Sequence, residues 1–521
     1  MSKLKILLFA ATAVCIVHTT ALQAQQRVAF PQDFTPALDG REVIISGPMY
    51  VTGNYHYSTY NPVVTMAPEV LFTGTDVVLP GNDYDRQRLW NNENKLTVNN
   101  FRVSDVTVRV GSWVDELRGV VSVDEDGRYS IRLKDKAVLH GNERPAAPKV
   151  SDDCSNLRIV GANLEFFLAS PSCWGSGYGA DNESAFFRQR TKIVAALAEM
   201  EADIYALCEV EEGDYTLQRL ADWLNDALGT RVYACVDGGD TYISTYTKNA
   251  FIYRSDRIKP VGAFTYTDND YLPLRHVAQR FRLTDNGEQL IVAMNHFKSK
   301  SGNGRGADAD RGDGQSAYNL TRTEEAEAVL AACRRMVANA GENDVLILGD
   351  LNAYSYEDPV HTFTDAGYVN ELKKHSPTRW SYCYSNEVGN LDQALATPTL
   401  DAQIVSATPW DINASEPTSF EYGSTTFFQP EHYTARYSDH NPIIVSLDLG
   451  HATGIQAPVA DSHATRVYTM QGVLVYETEA GVPGTAALHD VLQSILTPGT
   501  YILQQPGAKS IKFQISPNSG N

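Results

Sequence analysis

Positive charge is what this chain is short of. Its 521 residues carry 43 Lys and Arg against 63 Asp and Glu, a formal net charge of −20. A surface of that sign excludes broad adhesion to nucleic acid or to anionic membranes. It leaves room for a local grip on phosphate, because carboxylates that hold a divalent cation reverse the sign where the cation sits. Cysteine is scarce as well, with seven in all. No Cys-x-x-Cys pair and no Cys–His cluster occurs, which excludes the usual zinc frameworks. After residue 17 there is no apolar run long enough to span a bilayer. Hydrophobic residues make up 43% of the chain, so disorder is excluded over most of it. The length implies roughly three or four domains.

What is present begins with a leader. Lys3 and Lys5 precede an apolar stretch over 6–17, and Ala21-Leu-Gln-Ala24 follows. A basic start, a short apolar core and a small residue at the break describe a secretory signal peptide over 1–24. Val14 before Cys15 argues against a lipoprotein anchor. The expected product is exported: periplasmic, at the cell surface or extracellular. Of the remaining cysteines, Cys208 and Cys333 fall on apolar faces and read as core. Cys154 with Cys173 is a candidate disulfide.

Three regions follow the leader. Residues 27–150 are rich in Val, Thr, Tyr, Gly and Asp with little helical period. Strands are expected at 43–46, 106–110 and 129–133, and a strand, turn and second strand over 109–121. Residues 144–149, with two prolines, read as a linker. Residues 155–450 alternate strand-like runs (157–162, 204–208, 290–294, 345–349, 443–447) with amphipathic helices at 184–200, 215–228 and 321–337. Thr321 and Glu324 are spaced as a capping box for the last helix. Many later strands lack an intervening helix, so two packed mixed sheets flanked by helices are expected. A linker around 452–462 leads to a small all-β tail, 463–521, with strands at 467–470, 473–476 and 500–503. Adjacent His489 and Asp490 have no partner motif near them, and the tail reads as non-catalytic.

The chemistry sits at strand ends. The run 345–348 reaches Gly349, and Asp350 and Asn352 then point the same way from an extended segment. Asn295-His296, Asp439-His440, Glu209 and Asn163 each flank a comparable run. Five strands bringing carboxylate, amide and imidazole groups to one end are what a hydrolytic metal site requires. The bland reading of each alone is a polar turn.

The motifs Gly161-Ala-Asn-Leu-Glu165, Leu207-Cys-Glu-Val210, Asn295-His-Phe-Lys-Ser-Lys300, Gly349-Asp-Leu-Asn352, Leu391-Asp392 and Ser438-Asp-His-Asn-Pro442 resemble, in order, those of the endonuclease/exonuclease/phosphatase family. The resemblance spans roughly 157–449. It implies a metal-dependent phosphoester hydrolase. Glu209 and Asp439 would be ligands to Mg²⁺, with Mn²⁺ or Ca²⁺ as substitutes. Asn163 would add an amide oxygen, and Glu165 would touch a second ion. His440 would be the general base and Asp392 its orienting carboxylate. Asp350 and Asn352 would position the water and a phosphate oxygen. His296 would donate to the phosphate or protonate the leaving group. Asn295, Arg275, Lys298 and Lys300 would meet substrate phosphate, with Arg280 competing for the role of Arg275.

One departure is that the glutamate which several members place beside the first histidine has no evident match before residue 251. The loop 301–319, with Asp308, Asp310 and Asp313, lacks EF-hand spacing and reads as a mobile loop beside the site rather than a calcium loop. The first region resembles the oligonucleotide-binding-fold-like module of large secreted bacterial nucleases. Tyr55, Tyr57, Tyr60 and Trp113 would then be base-stacking residues, against ordinary β-sheet packing. The tail is similar to type IX secretion sorting domains, which implies the secretion machinery as a partner. The leading expectation is an extracellular nuclease acting on DNA or RNA. A phosphatase or lipid-headgroup phosphodiesterase is the same-chemistry rival, and an inactive surface binding protein the other. Nothing in the sequence sets an oligomeric state.

Overall fold

The computed structural model describes residues 26–149 apart from 56, 59 and 106. It also describes 155–450 apart from 237, 239–245 and 267–274, and the tail strands between 465 and 515. The leader, Cys154, the 452–462 linker and the His489-Asp490 pair lie outside the described residues.

The N-terminal region is a six-stranded barrel-like sheet. Its strands Gln26–Val28, Glu42–Gly53, Val63–Ala67, Leu96–Asn99, Tyr129–Leu133 and Trp113–Val123 follow in that spatial order, and Glu42–Gly53 also pairs with Trp113–Val123. That second pairing turns the sheet back on itself and leaves Gln26–Val28 as an edge strand. Alternate residues such as Val43, Ile45, Val64, Met66, Val98, Leu117 and Ile131 fill the interior, as the period of two requires.

Two expectations for this region fail. Residues 107–109 form no strand, and the strand-turn-strand expected over 109–121 is one continuous strand, Trp113–Val123. Arg109 is diverted because its guanidinium is committed elsewhere: Nη2 donates to Asp411 Oδ2 at 2.7 Å and Nη1 pairs with Glu416. A helix at Asn82–Glu93 also interrupts the all-β pattern. Its apolar periodicity is negligible, so hydrophobic spacing could not have revealed it.

The middle region is two stacked six-stranded mixed sheets, as the sequence implied. One orders Ile404–Pro409, Ile443–Leu447, Leu157–Phe167, Ile204–Glu211, Thr247–Arg254 and Tyr233–Cys235. The other orders Ile258–Tyr266, His276–Leu283, Gln289–His296, Val345–Asp350, Asp392–Ala396 and Val369–Asn370. Ile159, Ile204, Phe251, Val292, Leu346, Leu348 and Val445 pack between them. Central strands are buried on both faces, which explains their unbroken apolar runs. Helices Glu183–Met200 and Tyr215–Leu228 cover the first sheet's outer face. Asn319–Ala340 covers the second. The two parallel pairs, Leu157–Phe167 with Ile204–Glu211 and Gln289–His296 with Val345–Asp350, each have one of these long helices in their connection, as a parallel crossover demands.

The capping box fails. Tyr318 is the N-cap, and Thr321 turns its backbone N–H and hydroxyl to Asp308 at 3.0 and 2.7 Å. The 144–149 segment is docked rather than loose: Arg144 Nε donates to Glu416 Oε1 at 2.8 Å. Cys208 and Cys333 are core, as expected. In the tail, Leu474–Thr478, Thr465–Thr469, Gly499–Gln504 and Ile511–Ile515 form an antiparallel sheet. Among the described residues no helix is long and apolar enough to cross a membrane.

Candidate active site

Strand register assembles the site. His296 is paired with Asp350 across the parallel ladder, and Asp350 with Asp392 across the antiparallel one. On the facing sheet Asn163 is paired with Cys208, one residue before Glu209. Gly349 makes the first pairing possible. It has φ +128°, and a Cβ there would lie 1.9 Å from Asn295 O. Several of the site's residues lie in the left-handed region: Glu165 at φ +51°, Phe166 at +50°, Glu209 at +59°, Asn352 at +46° and Arg436 at +52°. Such backbone costs on the order of 1–3 kcal/mol per residue and persists where surrounding packing enforces it. Here it turns strand-end side chains into the mouth.

His440 Nδ1 donates to Asp392 Oδ2 at 2.7 Å. That bond leaves Nε2 facing the site. Burial pulls the His440 imidazolium down, but Asp392, Asp350 and Asp439 outweigh it and hold its pKa well above the ordinary value. His296 goes the other way: burial, then the charges of Arg275 and His440, push it well below. The two histidines are thus driven to opposite protonation states. Asp350 Oδ2 lies between them, 3.8 Å from each Nε2. Both gaps are too long for a hydrogen bond and suit a bridging water or phosphate oxygen. Burial, reinforced by Asp392, raises the Asp350 carboxyl to about 7. Its Oδ1 accepts the Asn352 N–H at 2.8 Å, and Asn352 Nδ2 donates to Phe297 O at 3.1 Å.

The other side of the mouth is acidic. Glu209 Oε2 accepts the Phe166 N–H at 2.8 Å, and its Oε1 lies 3.6 Å from His296 Nε2. Glu209 and Glu165 are both raised, by burial first and then by Asp439. Glu165 Oε2 is buried with no hydrogen-bond partner. Asp439 is the most open of these carboxylates, its side chain 37% exposed. Among the described residues no three His, Cys, Asp or Glu side chains close around a point as a complete cage. The donor set fits a hard cation that keeps its own waters and takes only one or two carboxylates. Crowded acids and an orphaned carboxylate oxygen are what such a cation relieves. Asn163 sits beside Glu209. Its Oδ1 accepts the Glu165 N–H at 2.8 Å, and its Nδ2 faces Asp350 Oδ2 at 3.5 Å.

The phosphate-binding set needs correction. Asn295 is 1% exposed and spends its amide donor on Ala293 O and Leu348 O, both at 3.2 Å. Lys300 Nζ is paired with Glu357 and donates to Gln315 O at 3.0 Å. Neither reaches the mouth. Lys298 lies over the Tyr318 ring, 4.4 Å from its centroid. Arg275 acts on His296 electrostatically and its Nε is buried without a partner, whereas Arg280 points to Ala340 O. Of the two arginines, Arg275 is the one that acts on His296. The missing glutamate is visible as a gap: His296 Nδ1 is buried with no hydrogen-bond partner.

The structure adds residues that sequence reasoning missed. The Tyr382 ring packs on the His440 imidazole, centroids 4.5 Å apart at 32°. Arg436 and Glu421 pair at 2.9 Å and act electrostatically on Glu165. Tyr382 stands ten positions before Asp392 on a three-residue strand, too short for a periodic signal. Arg436, two residues before Ser438, was within reach of the motif. In the barrel, Tyr57 is buried and Trp113 stacks on His140 at 4.5 Å, which is packing; Tyr55 and Tyr60 are exposed.

The model of the endonuclease/exonuclease/phosphatase family matches residues 162–440, more than half of the chain. Solved structures align over 56% of the chain at low identity. The human Nocturnin catalytic domain with bound sulfate does so at 16% identity over 94% of its length, TM-score 0.38. The mannosyl-6-phosphatase of Bacteroides thetaiotaomicron does so at 15% over 99%, TM-score 0.37. An AP endonuclease from Archaeoglobus fulgidus does so at 16% over 100%, TM-score 0.36. No curated protein matches. By the family match, this chain belongs to the endonuclease/exonuclease/phosphatase family, a family of phosphoester hydrolases.

Proposed function

We propose that this chain is an exported, divalent-metal-dependent phosphodiesterase whose substrate is nucleic acid. The observation that carries the chemistry is the Asp392–His440 bond with Asp350 Oδ2 set between two imidazoles. Asp392 holds His440 in the tautomer whose Nε2 takes a proton from the attacking water. Asp350 and Asn352 hold that water and a phosphate oxygen. Neutral His296 and Arg275 stabilise charge on the phosphate. Glu209 and Asp439, with Glu165 beside them, would hold Mg²⁺ or a substitute, which neutralises developing negative charge when bound. With that charge matched, His440 loses part of the acidic field that keeps it protonated.

Nucleic acid is favoured over a small phosphomonoester by an aromatic run at the acidic side of the mouth. Phe166, whose N–H binds Glu209, lies 4.9 Å from Tyr178, which lies 5.5 Å from Tyr246. Tyr178 and Tyr246 are 47% and 48% exposed. Two half-exposed tyrosines in a row suit bases or sugars of an extended strand. Export rests on the leader, and surface delivery on the tail's likeness to a sorting domain. The test is the purified protein offered plasmid DNA, RNA, inositol phosphates and sphingomyelin with magnesium, manganese, calcium or chelator. Cleavage of DNA or RNA is expected. Release of phosphate from small esters with nucleic acid untouched would move the assignment to the phosphatase branch.

A further inference from the structure

The site's loops do not stand alone. A short segment of the N-terminal region, residues 71–76, reaches into the catalytic region and touches the supports of three of them. Leu71 O accepts the Val388 N–H at 2.9 Å, and Val388 O accepts the Thr73 N–H at 2.8 Å. Val388 belongs to the hairpin Tyr382–Tyr384 with Glu387–Gly389, where Tyr382 is paired with Gly389. Tyr382 is the ring packed on His440. Lys95 clasps the same hairpin through Glu387 at 2.7 Å.

Three residues past Thr73, Asp76 is fully buried. Its Oδ1 accepts the Ser355 hydroxyl at 2.7 Å and Ser355 N–H at 3.2 Å, and its Oδ2 pairs with Lys373 at 3.0 Å. Ser355 is three residues past Asn352. The third contact is Thr75, also fully buried. Its hydroxyl donates to Glu357 Oε1 at 2.7 Å. The other Glu357 oxygen holds Lys300, four residues past His296. One segment thus reaches the loops after Asp350 and after His296 and the hairpin against His440.

We propose that residues 71–76 are a positioning element of the hydrolytic site, so that the N-terminal region is part of the catalytic frame and not only a substrate-holding module. This rests on the phosphodiesterase reading. Thr75 and Asp76 touch no reacting atom; they act through Glu357, Lys300 and Ser355. A displacement on the order of 1 Å at a reacting group costs about 10²-fold in rate. Three loops sharing one brace should therefore be sensitive to its loss even when the substrate is too small to touch the barrel.

The test uses the full chain with Thr75→Val and Thr75→Ser, and bis(p-nitrophenyl) phosphate as substrate. Thr75→Val is nearly isosteric and removes one donor, so it disturbs packing least. Thr75→Val should lower kcat about tenfold or more with KM within about twofold, and Thr75→Ser should restore it. In parallel, the imidazole NMR signals of the histidine-labelled protein are compared. Those of His296 should move in Thr75→Val and return in Thr75→Ser. Unchanged kcat with unchanged ring signals in folded Thr75→Val would overturn the proposal. If the parent protein hydrolyses no phosphodiester, the hydrolase reading fails and the ring signals alone decide positioning.

Discussion

Asp350 Oδ2, 3.8 Å from two imidazoles of opposite protonation tendency, is the point on which the residue-level account turns. Removing the base should show it. His440→Ala should lose about 10²–10⁴-fold in kcat with little change in substrate affinity, read by steady-state kinetics. Asp392→Asn should fall in the same direction, because the 2.7 Å bond that fixes the tautomer changes character. Glu209→Gln should instead raise the metal concentration needed for half-maximal rate, since one carboxylate leaves the acidic side of the mouth. Which residue types gather at the strand ends was legible in the sequence, but the two-residue spacing was not a guide to direction: Asn352 lies past the strand end at φ +46° and turns its N–H back to Asp350 Oδ1. The orientation of side chains was not legible either. Asn295 and Lys300 sit in the right motif but spend their donors on Leu348 O, Gln315 O and Glu357. Tyr382 arrives on a three-residue strand and Glu421 from an irregular segment, neither long enough for a period to announce it.

At the scale of elements, the fold follows apolar runs and helical period, so the stacked sheets and the helices at 184–200 and 215–228 were readable. What sequence could not show is where long polar side chains would divert the backbone. Arg109, buried against Asp411 and Glu416, replaces an expected strand by a tether to the catalytic region. Arg109→Met should destabilise the protein by about 3 kcal/mol, because it leaves buried carboxylates less than fully paired; urea unfolding measures it. Asn441 explains its own place in the Ser-Asp-His-Asn-Pro motif: its Oδ1 accepts the N–H groups of Ile412, Asn413 and Ala414 at 3.2, 2.8 and 3.0 Å. Those contacts hold the loop that receives Arg109. Lys192 secures the neighbouring turn, donating to His432 O at 3.1 Å and Ala435 O at 2.6 Å. Burial lowers its ammonium from 10.5 to about 8. Between those two pH values the unfolded chain keeps a proton that the folded one has lost, so stability should rise as pH rises through that window. The penalty is fully present below about 8 and gone above about 10.5. Lys192→Met should lack this rise, on the order of 3 kcal/mol in full, when unfolding of both proteins is compared from pH 7 upward.

For the whole molecule, a barrel-like region, a two-sheet hydrolase core and a β tail share a chain of net charge −20. The hydrophobic logic of each is largely local, while barrel and core are joined by a small apolar cluster, Val70, Phe72 and Val110 against Trp380, Val388 and Ala414, and by polar contacts that no composition reveals. On the proposed nuclease reading, an acidic molecule would have to grip a polyanion through a cation at the mouth and through Arg275 and Lys298, so binding should weaken steeply with salt. On the proposed reading, the oxygen ligands and the Asp392–His440 pair make one metal-dependent phosphodiesterase site. The most direct measurement is the rate of phosphodiester cleavage by purified protein in chelator, then with magnesium added back, alongside His440→Ala. The account predicts no cleavage in chelator, recovery with magnesium in the parent, and no comparable recovery in the variant. Full activity in chelator, or a variant that recovers as the parent does, would contradict it.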